Sequence, residues 1–361
     1  MSENINDKVK MFSVFVVSLV LFSRQTGALF EGDPCTVPAT AETGQCTQLD
    51  KCEYAKQLLR SNKNPQSCGF QGKAPLVCCP VGPKPGDTSL RQCDRYFNRK
   101  YQYYAIDLGE KARSKEFPHM AAVGYGDDKT NIFWLCGGTL ISQKFVLSAA
   151  HCAESQDFGA AKWIRLGDLD LQNATEDANP QDVRIVQTYV HPGYRSSSHY
   201  HDIALFKMAE KVIFTIYFKA ACLHVGKSLP VNTLQATGWG KMGFFGDPSS
   251  HLMKVNLSLV NHDTCSKRYA NVANSRKLKN GIFDDYQMCA GNVEGGDTCP
   301  GDSGGPLHYT VQPTNDHVFH FTVAGVTSFG KGCGGDNTVG VYTRVSGYVG
   351  WIEDIVWKED N

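Results

Sequence analysis

Residues 297–306 read Asp297-Thr298-Cys299-Pro300-Gly301-Asp302-Ser303-Gly304-Gly305-Pro306, and they are the most specific segment in the chain. Glycines permit backbone turns that other residues resist, so a serine set among them can point its hydroxyl outward while neighbouring N–H groups face the same space. A serine hydroxyl is a poor nucleophile until a base removes its proton. The chain should therefore contain a histidine to serve it. Of the 11 histidines, most belong to surface or core, and context selects His151. Ser148-Ala149-Ala150-His151-Cys152 places it between small residues and a cysteine that can pin it, directly after the apolar stretch Lys144-Phe145-Val146-Leu147-Ser148. A neutral imidazole can take the serine proton and return it to a leaving amine. Its other nitrogen needs an acceptor to fix the tautomer. His201-Asp202-Ile203-Ala204-Leu205-Phe206 offers Asp202 at the mouth of an apolar strand, where a carboxylate without a partner would be costly.

Around these residues lie 361 positions in which 36 Lys+Arg balance 36 Asp+Glu. Zero net charge argues against a nucleic-acid binder, which needs a basic excess for phosphate contacts. The 14 cysteines suit a disulfide framework in an oxidising compartment. Routing there is supplied by Met11-Phe12-Ser13-Val14-Phe15-Val16-Val17-Ser18-Leu19-Val20-Leu21-Phe22, an apolar run after Lys8 and Lys10 and before Thr26-Gly27-Ala28. It reads as a secretory signal over residues 1–28, being shorter than the roughly 20 residues of a spanning helix. Glu3 and Asp7 dilute the positive n-region, and Met11 is an alternative start. No later stretch is apolar enough to span a bilayer, so a soluble extracellular product is expected, with no membrane contact.

Six cysteines crowd residues 34–80: Cys35, Cys46, Cys52, Cys68, Cys78 and Cys79. A module of about 45 residues with few large apolar side chains needs cross-links, and the cysteine count alone leaves their pairing open. Zinc is disfavoured because paired C-x-x-C ligands are missing. Residues 81–105 read as a linker and activation region, beginning with the Pro- and Gly-rich Pro80-Val81-Gly82-Pro83-Lys84-Pro85-Gly86-Asp87. Beyond it, stretches such as Val183-Arg184-Ile185-Val186 and Val323-Ala324-Gly325-Val326, punctuated by Gly, Pro, Asn and Asp, indicate an all-β barrel or sandwich. Only Tyr348–Trp357 looks helical, with Val349, Ile352 and Val356 on one stripe.

Ala149-Ala150-His151-Cys152, Asp202-Ile203-Ala204-Leu205 and Gly301-Asp302-Ser303-Gly304-Gly305-Pro306, in that order, resemble the chymotrypsin-family serine proteases over residues 106–361. The resemblance implies two packed six-stranded β-barrels with the site between them. By it, His151 is the general base, Asp202 orients it, Ser303 is the nucleophile, and the N–H groups of Gly301 and Ser303 hold the oxyanion. Asp297, six residues before the nucleophile, falls at the floor of the primary pocket, and a carboxylate there favours Lys or Arg. Ser328-Phe329-Gly330 aligns with the edge strand that pairs with substrate backbone, and Gly330 with Gly340 leaves the pocket entrance open. Phe329 replaces the usual Trp.

The same resemblance implies bridges Cys136–Cys152, Cys265–Cys289 and Cys299–Cys333, with Cys93–Cys222 tying the region before the protease to the protease. The first six cysteines resemble a clip domain, for which Cys35–Cys78, Cys46–Cys68 and Cys52–Cys79 are implied. Clip domains ahead of trypsin-like domains belong to arthropod haemolymph proteases of clotting, melanisation and Toll-type cascades. Expected partners are an upstream activating protease, a downstream zymogen as protein substrate, and a serpin inhibitor. Family members are zymogens in which a freed N-terminus pairs with the carboxylate beside the nucleophile, here Asp302. The matching segment, Ile106-Asp107-Leu108-Gly109, departs from Ile-Val-Gly-Gly and follows Ala105 where Arg or Lys is usual. Two readings follow: a protease activated by a cut after Ala105, or a regulatory cofactor that is never activated. Asn173-Ala174-Thr175 and Asn256-Leu257-Ser258 are glycosylation sequons. Asp168, Asp170 and Glu176 fall in a loop where some relatives bind Ca²⁺, but a solvated acidic loop explains them, and neither a metal nor another cofactor is expected.

Overall fold

In the computed structural model, residues 29–38, 43–81, 84–97, 111–173, 178–241, 246–272, 275–291, 301–312, 319–330 and 338–358 are described. The chain divides into two compact units, residues 1–82 and 83–361.

In the first unit, strands β1 (Pro34–Thr36), β2 (Thr43–Gln48), β3 (Ser67–Gln71) and β4 (Ala74–Pro80) form an antiparallel sheet in the order β1-β2-β4-β3, with helix α1 (Glu53–Arg60) between β2 and β3. Side chains on a strand alternate between faces, so the adjacent Cys78 and Cys79 of β4 serve opposite sides. Cys78 bonds Cys35 and Cys79 bonds Cys52, while Cys46 bonds Cys68. The apolar filling is slight: Val37, Leu76, Ala55 and Val77 are its main buried carbon side chains besides the half-cystines. Gly44 is required here, because a Cβ would lie 2.6 Å from Cys78 Sγ.

The second unit begins with helix α2 (Asp87–Phe97), followed by β5 (Met120–Tyr125), β6 (Phe133–Leu140), β7 (Phe145–Ser148), β8 (Glu154–Ser155), β9 (Gly159–Leu166), β10 (Gln181–Val190) and β11 (Ala204–Met208). Six of these strands run in the order β10-β11-β7-β6-β5-β9, and β9 pairs back to β10 to close a barrel. A second barrel uses β12 (Cys222–Leu223), β13 (Thr233–Gly238), β14 (Met253–Val260), β15 (Gln287–Gly291), β16 (Pro306–Val311), β17 (His320–Gly330) and β18 (Val339–Arg344). Its order is β17-β16-β13-β14-β15-β18, closed by β17 on β18, with β12 alongside β17. Closure removes the free edges that an open sheet would expose.

The helix expected at the C-terminus is α4 (Val349–Val356), with Val349, Ile352 and Val356 buried in the apolar cluster that also holds Val323, Val326 and Leu205. Helices α1, α2 and α3 (His262–Tyr269) are absent from the sequence expectation, and α2 lies within the stretch read as linker. The reason is local. Each is short, and each carries or abuts a half-cystine (Cys52, Cys93, Cys265) that anchors it to a distant part of the chain.

Helix α2 is held to the protease unit by more than the Cys93–Cys222 bond. The Glu353 carboxylate on α4 accepts from the N–H groups of Gly86 (3.1 Å) and Ser89 (2.6 Å), capping its first turn. Trp357 Nε1 donates to Tyr96 Oη at 3.2 Å, and the Tyr96 ring meets Phe214 edge-on. Replacing Glu353→Ala is expected to destabilise this docking by about 1 kcal/mol, the usual worth of an N-cap. Hydrogen exchange at the Gly86 and Ser89 amides should accelerate accordingly, while exchange in β5 to β7 stays unchanged.

Candidate active site

Strand β7 is buried along its whole length and delivers the chain into a short 3₁₀ turn, Ala150–Ala153, that carries His151. β7 pairs with β11 in the register Ala204↔Ser148, which sets the residues just before β11 beside those just after β7. Asp202 is two positions ahead of that pair. His201 adopts φ 56°, a left-handed conformation uncommon for a residue with a Cβ, and this turns Asp202 inward. Only 2% of Asp202 is exposed.

Its carboxylate is fully occupied. Oδ1 accepts the His151 backbone N–H at 2.9 Å, Oδ2 accepts from His151 Nδ1 at 2.8 Å, and Oδ2 also accepts the Ser328 hydroxyl at 2.5 Å. The Thr343 hydroxyl donates to the Asp202 carbonyl at 2.7 Å. With the proton on Nδ1, His151 Nε2 is left as an acceptor. Burial opposes charge on the imidazole, but the Asp202 charge and hydrogen bond outweigh it and raise the His151 pKa. Burial likewise opposes ionisation of Asp202, and His151, Ser328 and the His151 N–H together hold its pKa below the ordinary carboxylate value.

The serine turn is built against β6 and β17. The Gly137 N–H donates to the Ser303 carbonyl at 2.8 Å, Gly304 N–H donates to Thr327 at 2.9 Å, and Gly305 N–H donates back to Asp302 at 2.8 Å. Gly301 and Gly304 have φ of +103° and +78°. A Cβ on Gly304 would also fall 2.1 Å from Ser148 Oγ, so both conformation and space demand glycine. Cys136, next to Gly137, is bonded to Cys152, next to His151. Ser303 and the turn bearing His151 are thereby tied to adjacent residues of β6, Gly137 and Cys136. Asp302 turns away, with Oδ1 accepting from Gly240 N–H at 2.8 Å. Gly238 and Gly240 leave it room, since a Cβ on either would approach the carboxylate to 2.1 or 2.5 Å.

Of the residues singled out in the sequence, His151, Asp202, Gly301, Asp302, Ser303 and Ser328 meet at this junction, and Gly330 pairs with Gly340 across β17 and β18. Asp297, Ile106, Cys299, Cys333 and Glu176 lie outside the described residues. Asn173 and Asn256 are exposed. Asp168 faces Arg165, with Oδ2 3.2 Å from Nη1, and its Oδ1 accepts the Leu169 N–H; Asp170 Oδ1 accepts from Gln172 N–H. Sequence reasoning did not anticipate the hydrogen bond from Ser328 to Asp202. No local signal marks it, because the two residues are 126 positions apart.

A family model described as Trypsin matches residues 106–352. The chain belongs to the trypsin family of serine proteases, and it is a serine endopeptidase of trypsin-like type. Serine protease snk of Drosophila melanogaster is 36% identical over 92% of this chain and 80% of its own. CLIP domain-containing serine protease B4 of Anopheles gambiae is 31% identical over 95% and 98% of the two chains. The crystal structure of the Drosophila Grass clip serine protease of the Toll pathway matches with a TM-score of 0.62 at 26% identity, covering 90% of this chain and 97% of that one. These matches run through the cysteine-rich first unit and make the chain a clip-domain protease of the insect type.

With His151 read as the base, it works only when neutral, so its raised pKa should make activity fall as pH drops through a value above the ordinary histidine pKa of about 6.5. In Asp202→Asn the acid limb should move to lower pH and kcat should drop by about 10⁴-fold. Ser328→Ala removes one charge-assisted hydrogen bond, worth roughly 1.5–3 kcal/mol, so a loss of about 10- to 100-fold in kcat with the fold intact is expected. Initial-rate pH profiles on a common substrate measure all three.

Proposed function

We propose that this clip-domain protease is secreted as a zymogen and, once cut, cleaves protein substrates after Lys or Arg in an extracellular insect cascade of the melanisation, Toll or clotting type. The observation that carries the reading is the His151–Asp202–Ser328 hydrogen-bond network beside the glycine-framed Ser303. In that reading His151 Nε2 takes the Ser303 proton as Oγ attacks the scissile carbonyl. Asp202 holds the imidazole in the Nδ1–H tautomer and stabilises the imidazolium that forms. The N–H groups of Gly301 and Ser303 receive the oxyanion, the proton passes from Nε2 to the leaving amine, and water repeats the sequence on the acyl-enzyme. Asp297 gives the primary pocket its preference for a cationic side chain.

The leader over residues 1–28 supports secretion, and no helix among the described residues is long and apolar enough to cross a membrane. Named relatives include phenoloxidase-activating enzyme 1 of Spodoptera litura, 29% identical over 95% of this chain and 97% of its own. Cleavage before Ile106 would free an ammonium to pair with Asp302. The Cys93–Cys222 bond would keep the two resulting chains together. Expected partners are an activator that accepts Ala105, a downstream zymogen as substrate, and a serpin that traps the acyl-enzyme.

Ala105 at the activation bond favours a second reading, a cofactor that is never activated. Retention of His151, Asp202 and Ser303 argues for the enzyme. N-terminal sequencing of the processed heavy chain should return Ile106, and that chain should hydrolyse an Arg-containing peptide; a chain starting at Ile106 that cleaves nothing would overturn the enzyme reading. Ser303→Ala should abolish turnover by several orders of magnitude while leaving substrate binding in place. Asp297→Ser should shift cleavage away from Lys and Arg, and an unchanged profile would show that the pocket floor lies elsewhere.

A further inference from the structure

We propose that His201 and Tyr348 are positioning residues for the endopeptidase reaction: joined to each other behind Asp202, they hold a strained turn that aims the Asp202 carboxylate at His151. This rests on the reading above in which His151 is the base and Asp202 orients it.

The strain is confined to one turn. His201 has φ 56°, a conformation that crowds its Cβ and persists only where the surroundings enforce it. The Ile203 N–H donates to the His201 carbonyl at 2.8 Å, closing a three-residue turn with Asp202 at its apex. Asp202 is buried while His201 is half-buried. If residue 201 relaxed to a negative φ, the turn would rotate and carry the Asp202 oxygens away from the Nδ1 and N–H of His151.

The contacts that prevent this converge on the His201 ring. Its Nδ1 is hydrogen-bonded to Tyr348 Oη at 3.0 Å. Tyr348 is itself buried and ends the 3₁₀ turn Val345–Tyr348 that leads into α4, so the hydroxyl is a fixed point. Burial, with the neighbouring Tyr286 and the charge of Asp202, pushes the Tyr348 pKa up, and the hydroxyl keeps its proton. The His191 ring stacks on His201 with centroids 5.0 Å apart and planes 20° from parallel. His191 is held in turn by the Gly193 N–H, which donates to its Nδ1 at 3.1 Å, and by Trp351 of α4, which meets it edge-on. The His191 N–H also donates to the Ile203 carbonyl at 3.1 Å, so one residue braces both ends of the turn. Gly193 is required there, because a Cβ would lie 2.7 Å from the His201 ring.

A ring that only filled space would need neither a left-handed backbone nor a directional bond to a buried hydroxyl. Here both occur at the residue next to the carboxylate whose aim the reaction depends on. Ser328 and Thr343 hold Asp202 from the second barrel, and the His201–Tyr348 bond holds the turn that delivers it. The pair acts through Asp202 and not on the substrate, so its loss should appear in kcat and not in KM. A misplacement of about 1 Å at such a site costs roughly 10²-fold in rate. Any drift of Asp202 also weakens what raises the His151 pKa, which gives the effect a second signature.

The test uses the processed, full-length protease and one Arg-containing peptide, with kcat, KM, the acid limb of the pH–rate profile and the melting temperature measured for each variant. Tyr348→Phe keeps the ring and removes the hydroxyl, and should lower kcat about 3- to 10-fold. His201→Ala should lower it about 30- to 100-fold. In both, KM should stay within about 2-fold and the acid limb should move to lower pH. The double variant should be no slower than His201→Ala, since both changes break one bond. Tyr286→Phe, which alters a neighbouring ring that meets His201 edge-on, should change neither kcat nor the limb. Wild-type kcat in Tyr348→Phe and His201→Ala, multiplicative losses in the double variant, or a lower kcat that accompanies a lower melting temperature with the acid limb in place overturns the positioning role and leaves the protease reading intact. A processed wild-type enzyme that does not cut the peptide overturns the protease reading and this one with it.

Discussion

A carboxylate only 2% exposed sets the terms for the rest of the molecule. Moving Asp202 out of water costs several kcal/mol unless its oxygens are matched by donors held in place. Those donors come from separate parts of the chain: His151 from the turn after β7 and Ser328 from β17 of the second barrel, while Thr343 of β18 holds the Asp202 carbonyl. The two barrels meet where one buried charge needs both. His151 gains its raised pKa and its tautomer from the same arrangement, so the stability of the junction and the basicity of the imidazole have one cause.

Disulfides divide along the same logic. In the first unit they substitute for a core that consists of little more than Val37, Ala55, Leu76 and Val77. In the second, a large apolar cluster already supports the barrels, and the bridges are positional. Cys136–Cys152 joins the strand under Ser303 to the turn bearing His151, and Cys93–Cys222 fastens a helix that also has an N-cap from Glu353.

Legibility in the sequence varied with how local the cause was. The glycine-framed Ser303, the pinned His151 and the strand-mouth Asp202 each sit in a short segment whose residue types state their chemistry. The strands Phe145–Ser148 and Ala204–Met208 were visible as apolar runs, and α4 as an apolar stripe. Helices α1, α2 and α3 were not, being short segments that carry or abut half-cystines, whose partners lie elsewhere in the chain. The Ser328 hydroxyl and the His199–Phe329 stack were invisible for a different reason. Serine, histidine and phenylalanine have many roles, and the partners that define theirs lie more than a hundred residues away.

The sequence by itself determined which residues could do chemistry, that cysteines would do much of the holding, and that strands would dominate, since each of these depends on residue type and near neighbours. Tertiary structure alone decided which carboxylate oxygen meets which donor, in which direction the imidazole pKa moves, and which ring stacks on His199. Those quantities depend on distances and burial between segments far apart in the chain, and such distances exist only once both barrels have closed.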